Sequence, residues 1–188
     1  SFPTRRSSDL AIWMYFNSLL AVYREEIEGL SEHPLPELGF SNAAQWKTSD
    51  EANAVMWLRS MLVWFDRETL HVGRALPRAW LADGREVALD ALHTYHGIVG
   101  VRYRSEAARG RISCSIELRP HAGVEPPRRI RVRFRHPAAR RLAGVLVDGE
   151  RWERFDPAAA DVDITGRSGD TSIEATFPES SRQRKGTP

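Results

Sequence analysis

Residues 129–135 read Arg-Ile-Arg-Val-Arg-Phe-Arg, with an arginine at every second position and apolar side chains between them. Successive side chains of a β-strand point to opposite faces, so this stretch predicts a strand with a solvated arginine face and a buried apolar face. The same period of two recurs between turn signals such as Asp148-Gly149. The predicted strands are Thr69–Arg74, Arg85–Ala91, Ile98–Arg104, Arg111–Leu118, Arg129–Arg135, Leu142–Val147, Asp161–Thr165 and Thr171–Phe177. Many short strands at this spacing predict an antiparallel β-sandwich over residues 66–177.

The segment before the predicted sandwich, residues 11–65, has a helical pattern instead. Ala11–Tyr23 is apolar nearly all the way round, and a second helix begins with a capping box at Thr48-Ser-Asp-Glu51 and is predicted to run to Phe65. A helix on the surface of a small domain has only one apolar stripe, so both helices predict contacts with further helices. The predicted fold class is therefore α+β, with two or so helices followed by an antiparallel β-sandwich.

The two ends of the chain differ from the rest. Residues 1–10 read Ser-Phe-Pro-Thr-Arg-Arg-Ser-Ser-Asp-Leu, which resembles one reading frame of a common short-read sequencing adapter. We therefore leave them out of the fold prediction and expect the chain to be a C-terminal fragment of a longer protein. Residues 178–188 are rich in serine, arginine and proline and predict a disordered tail.

The composition argues against several classes of partner. The chain has 188 residues, of which 41% are apolar and 28% charged, with a formal net charge of +2. The positive excess lies in the two ends described above, so we expect no nucleic-acid partner. No apolar run reaches the roughly 18 residues of a membrane span, so we expect no membrane partner. A single cysteine, Cys114, excludes an internal disulfide and a cysteine-rich metal site.

Three features could carry chemistry, and each also has a structural interpretation, which we favour. The arginine row of residues 129–135 could bind RNA or an acidic glycan, but it lacks the interleaved aromatic residues that stack on bases. His93 and His96 could bind a metal, but a site needs a third ligand, and residues three apart on a strand face opposite ways. Cys114 shares a strand face with isoleucines, which is typical of a buried structural thiol. We therefore expect no metal and no cofactor.

The acidic residues also predict no catalytic pair. Glycoside cleavage commonly uses two carboxyl groups, one as acid and the other as base or nucleophile. Asp50 and Glu51 are adjacent, but neighbouring side chains on a helix diverge by about 100°. The chain contains no Gly-rich phosphate loop, no Gly-x-Ser-x-Gly elbow and no His-Glu-x-x-His pattern.

A family resemblance covers most of residues 11–177. Trp46 with residues 48–63, then Leu70-His-Val-Gly-Arg-Ala-Leu-Pro-Arg-Ala-Trp-Leu81, resembles the C-terminal end of a six-hairpin glycosidase. Leu142-Ala-Gly-Val-Leu-Val-Asp-Gly-Glu-Arg-Trp152 resembles the valine, asparagine or aspartate, glycine and aromatic turn of that family's C-terminal β-sandwich. The resemblance implies an (α/α)6 toroid whose last helix leads into the β domain. It also implies that the catalytic acid and base lie upstream, so no catalytic residue is assigned in this chain.

The same resemblance implies a weak substrate-binding set. If the helix beginning at Thr48 is the last inner helix of a toroid, Trp46, Glu51 and Asn53 lie near the substrate-binding end. A tryptophan ring there could stack on a sugar, and Glu51 or Asn53 could bind its hydroxyl groups. The structural alternative is that Glu51 only completes the helix cap and Trp46 packs at the helix entry.

These observations predict a catalytically incomplete C-terminal part of a glycoside hydrolase-like protein, in which the β domain supports the toroid. Carbohydrate is the expected partner, through the complete parent protein. The alternative is a non-catalytic carbohydrate-binding or structural β-sandwich module, and a weaker third hypothesis is an arginine-rich nucleic-acid binder. The isolated helices should expose an apolar face that self-associates, containing Trp13, Phe16, Leu20, Trp57 and Leu62.

Overall fold

The computed structural model describes residues 4–24, 29–30, 34–35, 40–41, 48–66 and 68–178. The chain divides into two compact units. The helical unit comprises Ser1–Trp64 and Arg74–Leu76, and the β unit comprises Phe65–Gly73 and Pro77–Pro188. The first division falls between Trp64 and Phe65, close to where the helical sequence pattern gives way to the alternating one.

Both predicted helices form in the helical unit, as α1 (Thr4–Val22) and α2 (Thr48–Leu62). α1 begins within the adapter-like stretch, since extending an existing helix adds a hydrogen bond per residue without a new nucleation cost. α2 ends before the predicted Phe65, because the β-branched and aromatic residues Val63–Phe65 form a strand. The strands up to that point are β1 (Tyr23–Arg24), β2 (Gly29–Leu30), β3 (Pro34–Leu35), β4 (Phe40–Ser41) and β5 (Val63–Phe65). β1 pairs with β2, and β3 pairs with β4, both antiparallel.

The two helices bury little of their apolar surface. Tyr15, Ala54 and Met61 are buried, and the Tyr15 and Trp57 rings meet edge to face with centroids 6.4 Å apart. Leu62, which we expected to be exposed, is half-buried. Large apolar side chains of this unit that remain exposed are Leu10, Trp13, Met14, Phe16, Leu20, Tyr23, Val55, Met56, Trp57 and Trp64. The apolar surface that the sequence predicts around both helices is thus largely exposed to solvent.

The β unit contains all eight strands predicted for it, with ends shifted by a few residues. They are β6 (Thr69–Val72), β7 (Glu86–His93), β8 (Gly97–Glu106), β9 (Arg111–Pro120), β10 (Arg129–Arg133), β11 (Gly144–Val147), β14 (Asp161–Asp163) and β15 (Gly169–Thr176). Two short strands were not predicted, β12 (Glu150–Arg151) and β13 (Phe155–Asp156). A two-residue strand offers too few positions for a period of two to be recognised.

The strands of the β unit lie in two sheets, which confirms the α+β class. One sheet has six strands in the order β12-β11-β15-β9-β8-β7, and every neighbouring pair in it is antiparallel. The other contains the order β13-β14-β10-β6, in which β10 and β6 are parallel. The predicted Asp148-Gly149 turn forms between β11 and β12, with φ of 52° and 82° at its two residues, a conformation that glycine and aspartate tolerate.

Tyr103 connects the two sheets through the core. The ring is fully buried on β8 and lies edge to face with Phe134, with ring centroids 5.7 Å apart. Its hydroxyl group donates a hydrogen bond of 3.0 Å to the backbone carbonyl of Arg133. Gly73 leaves room for this hydroxyl, because a Cβ there would lie 2.3 Å from the Tyr103 oxygen. The core therefore contains a polar contact that fixes the distance between the sheets.

The arginine row of residues 129–135 corrects one prediction. We expected a solvated face, but the Arg133 side chain is only 13% exposed and Arg135 is buried. β10 lies inside its sheet, between β6 and β14, and β14 supplies carboxylates on the same face. Arg131 donates from Nε to Asp161 Oδ1 at 2.6 Å, and Arg133 Nη2 lies 3.5 Å from Asp161 Oδ2. These charges are engaged within the protein, which does not favour an RNA-binding surface.

Candidate functional site

Of the three substrate-binding candidates, the structure describes Glu51 and Asn53. Trp46 lies outside the described residues. Glu51 is half-buried on α2, and its Oε1 accepts a hydrogen bond of 3.0 Å from the backbone N–H of Leu30. Asn53 is exposed, and side chains two positions apart on a helix do not face each other. Glu51 therefore connects α2 to β2 through Oε1, while its Oε2 is buried and has no hydrogen-bond partner among the described residues.

The histidines of the β7–β8 hairpin make packing contacts. His96 is buried, its Nδ1 lies 3.0 Å from the backbone oxygen of Glu125, and its ring meets Phe65 edge to face. His93 stacks on His121 with ring centroids 6.4 Å apart. Among the residues that the structure describes, no group of three or more His, Cys, Asp or Glu side chains is arranged to hold a metal ion.

Cys114 is buried on β9, in register with Tyr103. Burial raises the pKa of its thiol far above the ordinary value, so the thiolate does not form at neutral pH. The placement agrees with the predicted structural thiol, since a thiolate is the nucleophilic form of cysteine.

Trp152 follows the Asp148-Gly149 turn that carries part of the family resemblance. Its indole N–H donates a hydrogen bond of 2.9 Å to the backbone oxygen of Asp163. The guanidinium carbons of Arg154 and Arg167 lie 4.7 and 5.1 Å from the ring centroid. The ring therefore already has cation–π partners and an anchored edge, which favours a structural role over stacking on a ligand.

A groove on the six-stranded sheet is a candidate for ligand binding. We call it the outer groove, and its volume is about 450 Å³. Two rows of side chains cross it from strand to strand, Arg102–Ser115–Ser172 and Gly100–Glu117–Asp170. The residues that alternate with these on the three strands, Val101, Ile116 and Thr171, are buried in the core. Asp90 and Asp148 also line the groove.

Most charges in the outer groove are already paired. Arg102 donates from Nη2 to Asp90 Oδ1 at 3.0 Å and also binds Glu86. Arg167 Nη1 lies 3.2 Å from Asp148 Oδ2, and Arg119 donates from Nε to Glu117 Oε1 at 2.7 Å. By contrast, three side chains of the groove have no hydrogen-bond or ion-pair partner within the described part of the chain: Ser115, Asp170 and Ser172.

The sequence predicts the strands of the outer groove but not the groove itself. Ser115 alternates with Cys114 and Ile116, so its outward direction can be predicted. Its position beside Ser172 depends on the pairing of β9 with β15, which lie far apart in sequence. For a groove of this kind, the sequence therefore predicts only which polar residues of each strand point outward.

A second cavity lies in the helical unit, between α1 and α2. Its volume is about 400 Å³, and its lining is mainly apolar, with Met14, Tyr15, Trp57 and Met61 among its residues. Burial raises the pKa of the Tyr15 hydroxyl. This cavity belongs to the exposed apolar face of the helices.

The fold is thus that of an α+β protein with a two-sheet β unit. No protein-family model matches the chain, and no curated protein matches its sequence. No helix among the described residues combines the length and apolar character needed to cross a membrane.

Solved structures similar to the chain include three proteins that act on carbohydrates or are named as glycoside hydrolases. A glycoside hydrolase matches 93% of the chain with 9% identity and a TM-score of 0.45. A cycloalternan-forming enzyme from Listeria monocytogenes, in complex with its pentasaccharide substrate, matches 60% with 11% identity and a TM-score of 0.38. A GH31 dextranase of Flavobacterium johnsoniae, complexed with glucose, matches 57% with 13% identity and a TM-score of 0.36. The matches cover 29%, 11% and 16% of those chains, so this chain spans less than a third of their length.

Proposed function

We propose that this chain is the C-terminal part of a glycoside hydrolase-like protein, in which the β unit supports a helical domain larger than α1 and α2. The observation that carries the proposal is the exposed apolar surface of the helices. Of the twelve large apolar side chains that are exposed among the described residues, ten belong to the helical unit. Surfaces of this kind on monomeric proteins mark interaction sites, and here further helices of the same protein are the proposed partner.

The β unit has the properties that a supporting domain needs. Its core is closed by two sheets, and Leu70, Val132, Ile164 and Ile173 are at most 1% exposed. The hydrogen bond from Tyr103 to the Arg133 carbonyl connects the sheets. A domain with a complete core of its own keeps its shape while its outer surfaces bind another part of the protein.

The second part of the proposal is that the described residues carry no catalytic acid and base. A general acid in glycoside cleavage needs a raised carboxyl pKa. The carboxyl groups with shifted pKa values, Asp66, Glu86, Asp156 and Asp163, are all shifted downward by hydrogen bonds or arginine neighbours. These four groups are ionised at neutral pH and cannot donate a proton there.

The proposal is tested by an activity screen together with the gene sequence upstream of Ala11. We expect the chain as given to hydrolyse no aryl glycoside, and the upstream sequence to encode several hundred residues of paired helices with acidic loops. Turnover that a single substitution within residues 11–177 abolishes would disprove the catalytic part. An upstream sequence without helical pairs would disprove the supporting role.

A further inference from the structure

The outer groove presents its polar groups at regular spacings. Ser115 and Ser172 are register partners on β9 and β15, and Glu117 and Asp170 are the next outward pair. Neighbouring strands lie about 4.8 Å apart, and residues two apart on one strand lie about 6.8 Å apart. The four side chains therefore mark the corners of a rectangle of about 5 by 7 Å, which is comparable with the span of the hydroxyl groups around one pyranose ring.

The charges of the groove favour a neutral ligand. Asp90, Glu117 and Asp148 are each bound by an arginine, so a cationic ligand would have to displace a guanidinium group. An anionic ligand would meet these carboxylates and that of Asp170. A neutral ligand avoids both costs. It can still bind Asp170, Ser115 and Ser172, whose side chains have no partner among the described residues.

The side chains of Asp170, Ser115 and Ser172 are suited to bind hydroxyl groups. Each carboxylate oxygen of Asp170 accepts hydrogen bonds, so the pair can bind two neighbouring hydroxyls of one sugar. A serine hydroxyl both donates and accepts, as a sugar hydroxyl does. Gly100 lies opposite Glu117, and a Cβ there would lie 3.0 Å from the backbone oxygen of Asp90 and 3.4 Å from Glu117 Oε2, so the glycine lets these groups approach β8. The volume of about 450 Å³ lies within the range of small-molecule sites.

From this geometry we propose that the outer groove binds a neutral oligosaccharide, with Asp170, Ser115 and Ser172 as the residues that bind its hydroxyl groups. This is a binding activity of the β unit beyond the supporting role, and the choice of a carbohydrate among polyhydroxyl ligands rests on the proposed function. The groove lies wholly in the β unit, so binding does not depend on the helical unit.

The test is calorimetric titration of the full chain with maltohexaose, cellohexaose and xylohexaose. We expect at least one of them to bind the wild-type chain. Asp170→Asn should weaken that binding at least tenfold, because the amide replaces one of the two acceptor oxygens with an NH2 donor and removes the charge that strengthens the hydrogen bonds. Ser172→Trp should abolish binding by filling the groove, and the exposed strand position favours an aromatic residue.

Glu150→Gln is the matched control, since Glu150 is an exposed acidic residue on β12 that does not line the groove. It should bind like the wild type, and thermal unfolding should show that all variants are folded. Failure of all three sugars to bind, or equal binding by wild type, Asp170→Asn and Ser172→Trp, overturns the proposal. Tighter binding of a chitosan oligomer than of the neutral sugars overturns the neutral class. These results leave the activity screen and the upstream sequence unaffected, so the supporting role stands or fails separately.

Discussion

In the β unit Tyr103, Ile112 and Phe134 are 0%, 0% and 1% exposed, whereas in the helical unit Trp13, Leu20 and Val55 are 65%, 78% and 64% exposed. Both units are made from sequences rich in apolar residues. Two facing sheets bury one face of every strand, so they complete a core by themselves. Two helices cover only the stripe where they meet, so a helix that is apolar on more sides needs more neighbours. The difference shows that apolar content by itself does not predict burial.

Removing an aromatic ring from each unit tests this contrast directly and gives the largest expected effect. Phe134→Ala leaves a cavity in the core of the β unit and should lower the free energy of unfolding by about 3–5 kcal/mol. Trp13→Ala removes a larger but exposed side chain and should change it by less than about 0.5 kcal/mol. Chemical denaturation of both variants, followed by circular dichroism, measures the two values. Equal losses would contradict the contrast between the units.

The exposed apolar face itself is tested by association. We expect the full chain to bind a hydrophobic dye and to form oligomers, because apolar patches above a few hundred Å² promote contact between molecules. Replacing Trp13, Leu20 and Trp57 together by glutamine should remove most of the dye fluorescence. Leu146→Gln, at an exposed apolar residue of the β unit, is the control and should change little. Dye-free, monomeric behaviour of the wild-type chain would count against the proposed contact with further helices.

A smaller effect is expected from the hydrogen bond between the sheets. Tyr103→Phe keeps the ring and removes the hydroxyl that donates to the Arg133 carbonyl, so the free energy of unfolding should fall by about 1 kcal/mol. Tyr95→Phe changes an exposed tyrosine and should have no measurable effect. Urea denaturation compares the two variants, and an unchanged midpoint for Tyr103→Phe would mean that the hydrogen bond does not stabilise the sandwich.

The smallest effect concerns pH. Burial, with Arg140 and Arg78 nearby, lowers the pKa of His136 below the ordinary value of 6.5. The unfolded chain therefore binds a proton at His136 at higher pH than the folded chain does. The contribution of neutral His136 to the free energy of unfolding is complete above about pH 6.5 and decreases as the pH falls toward the folded-state pKa. The carboxyl groups with lowered pKa values affect stability near and below their ordinary pKa values of 3.8 or 4.5. Their effect on stability is therefore separate from that of His136 near pH 6.5.

Melting temperatures between pH 7.5 and 5 measure this dependence, and His136→Gln should flatten it. His93→Gln, at an exposed histidine, is the control and should keep the wild-type slope. A wild-type slope in His136→Gln would show that another group causes the dependence.

The sequence by itself determined the local elements of this protein. An apolar residue at every second position predicted all eight longer strands of the β unit, because a strand exposes alternate side chains to opposite environments whatever its partners are. The turn at Asp148-Gly149 also follows from local chemistry, because both residues tolerate positive φ. The predicted start of the second helix at Thr48 agrees with the structure, in which Glu51 binds Leu30.

Only the tertiary structure decided which side chains meet. Arg131 and Arg133 alternate as predicted, but they are paired because β14 places Asp161 beside them. Ser115 and Ser172 form one row of the outer groove because β9 and β15 pair in one register. Local pattern fixes the direction of a side chain, whereas its neighbours depend on strand order and register, which link residues distant in sequence.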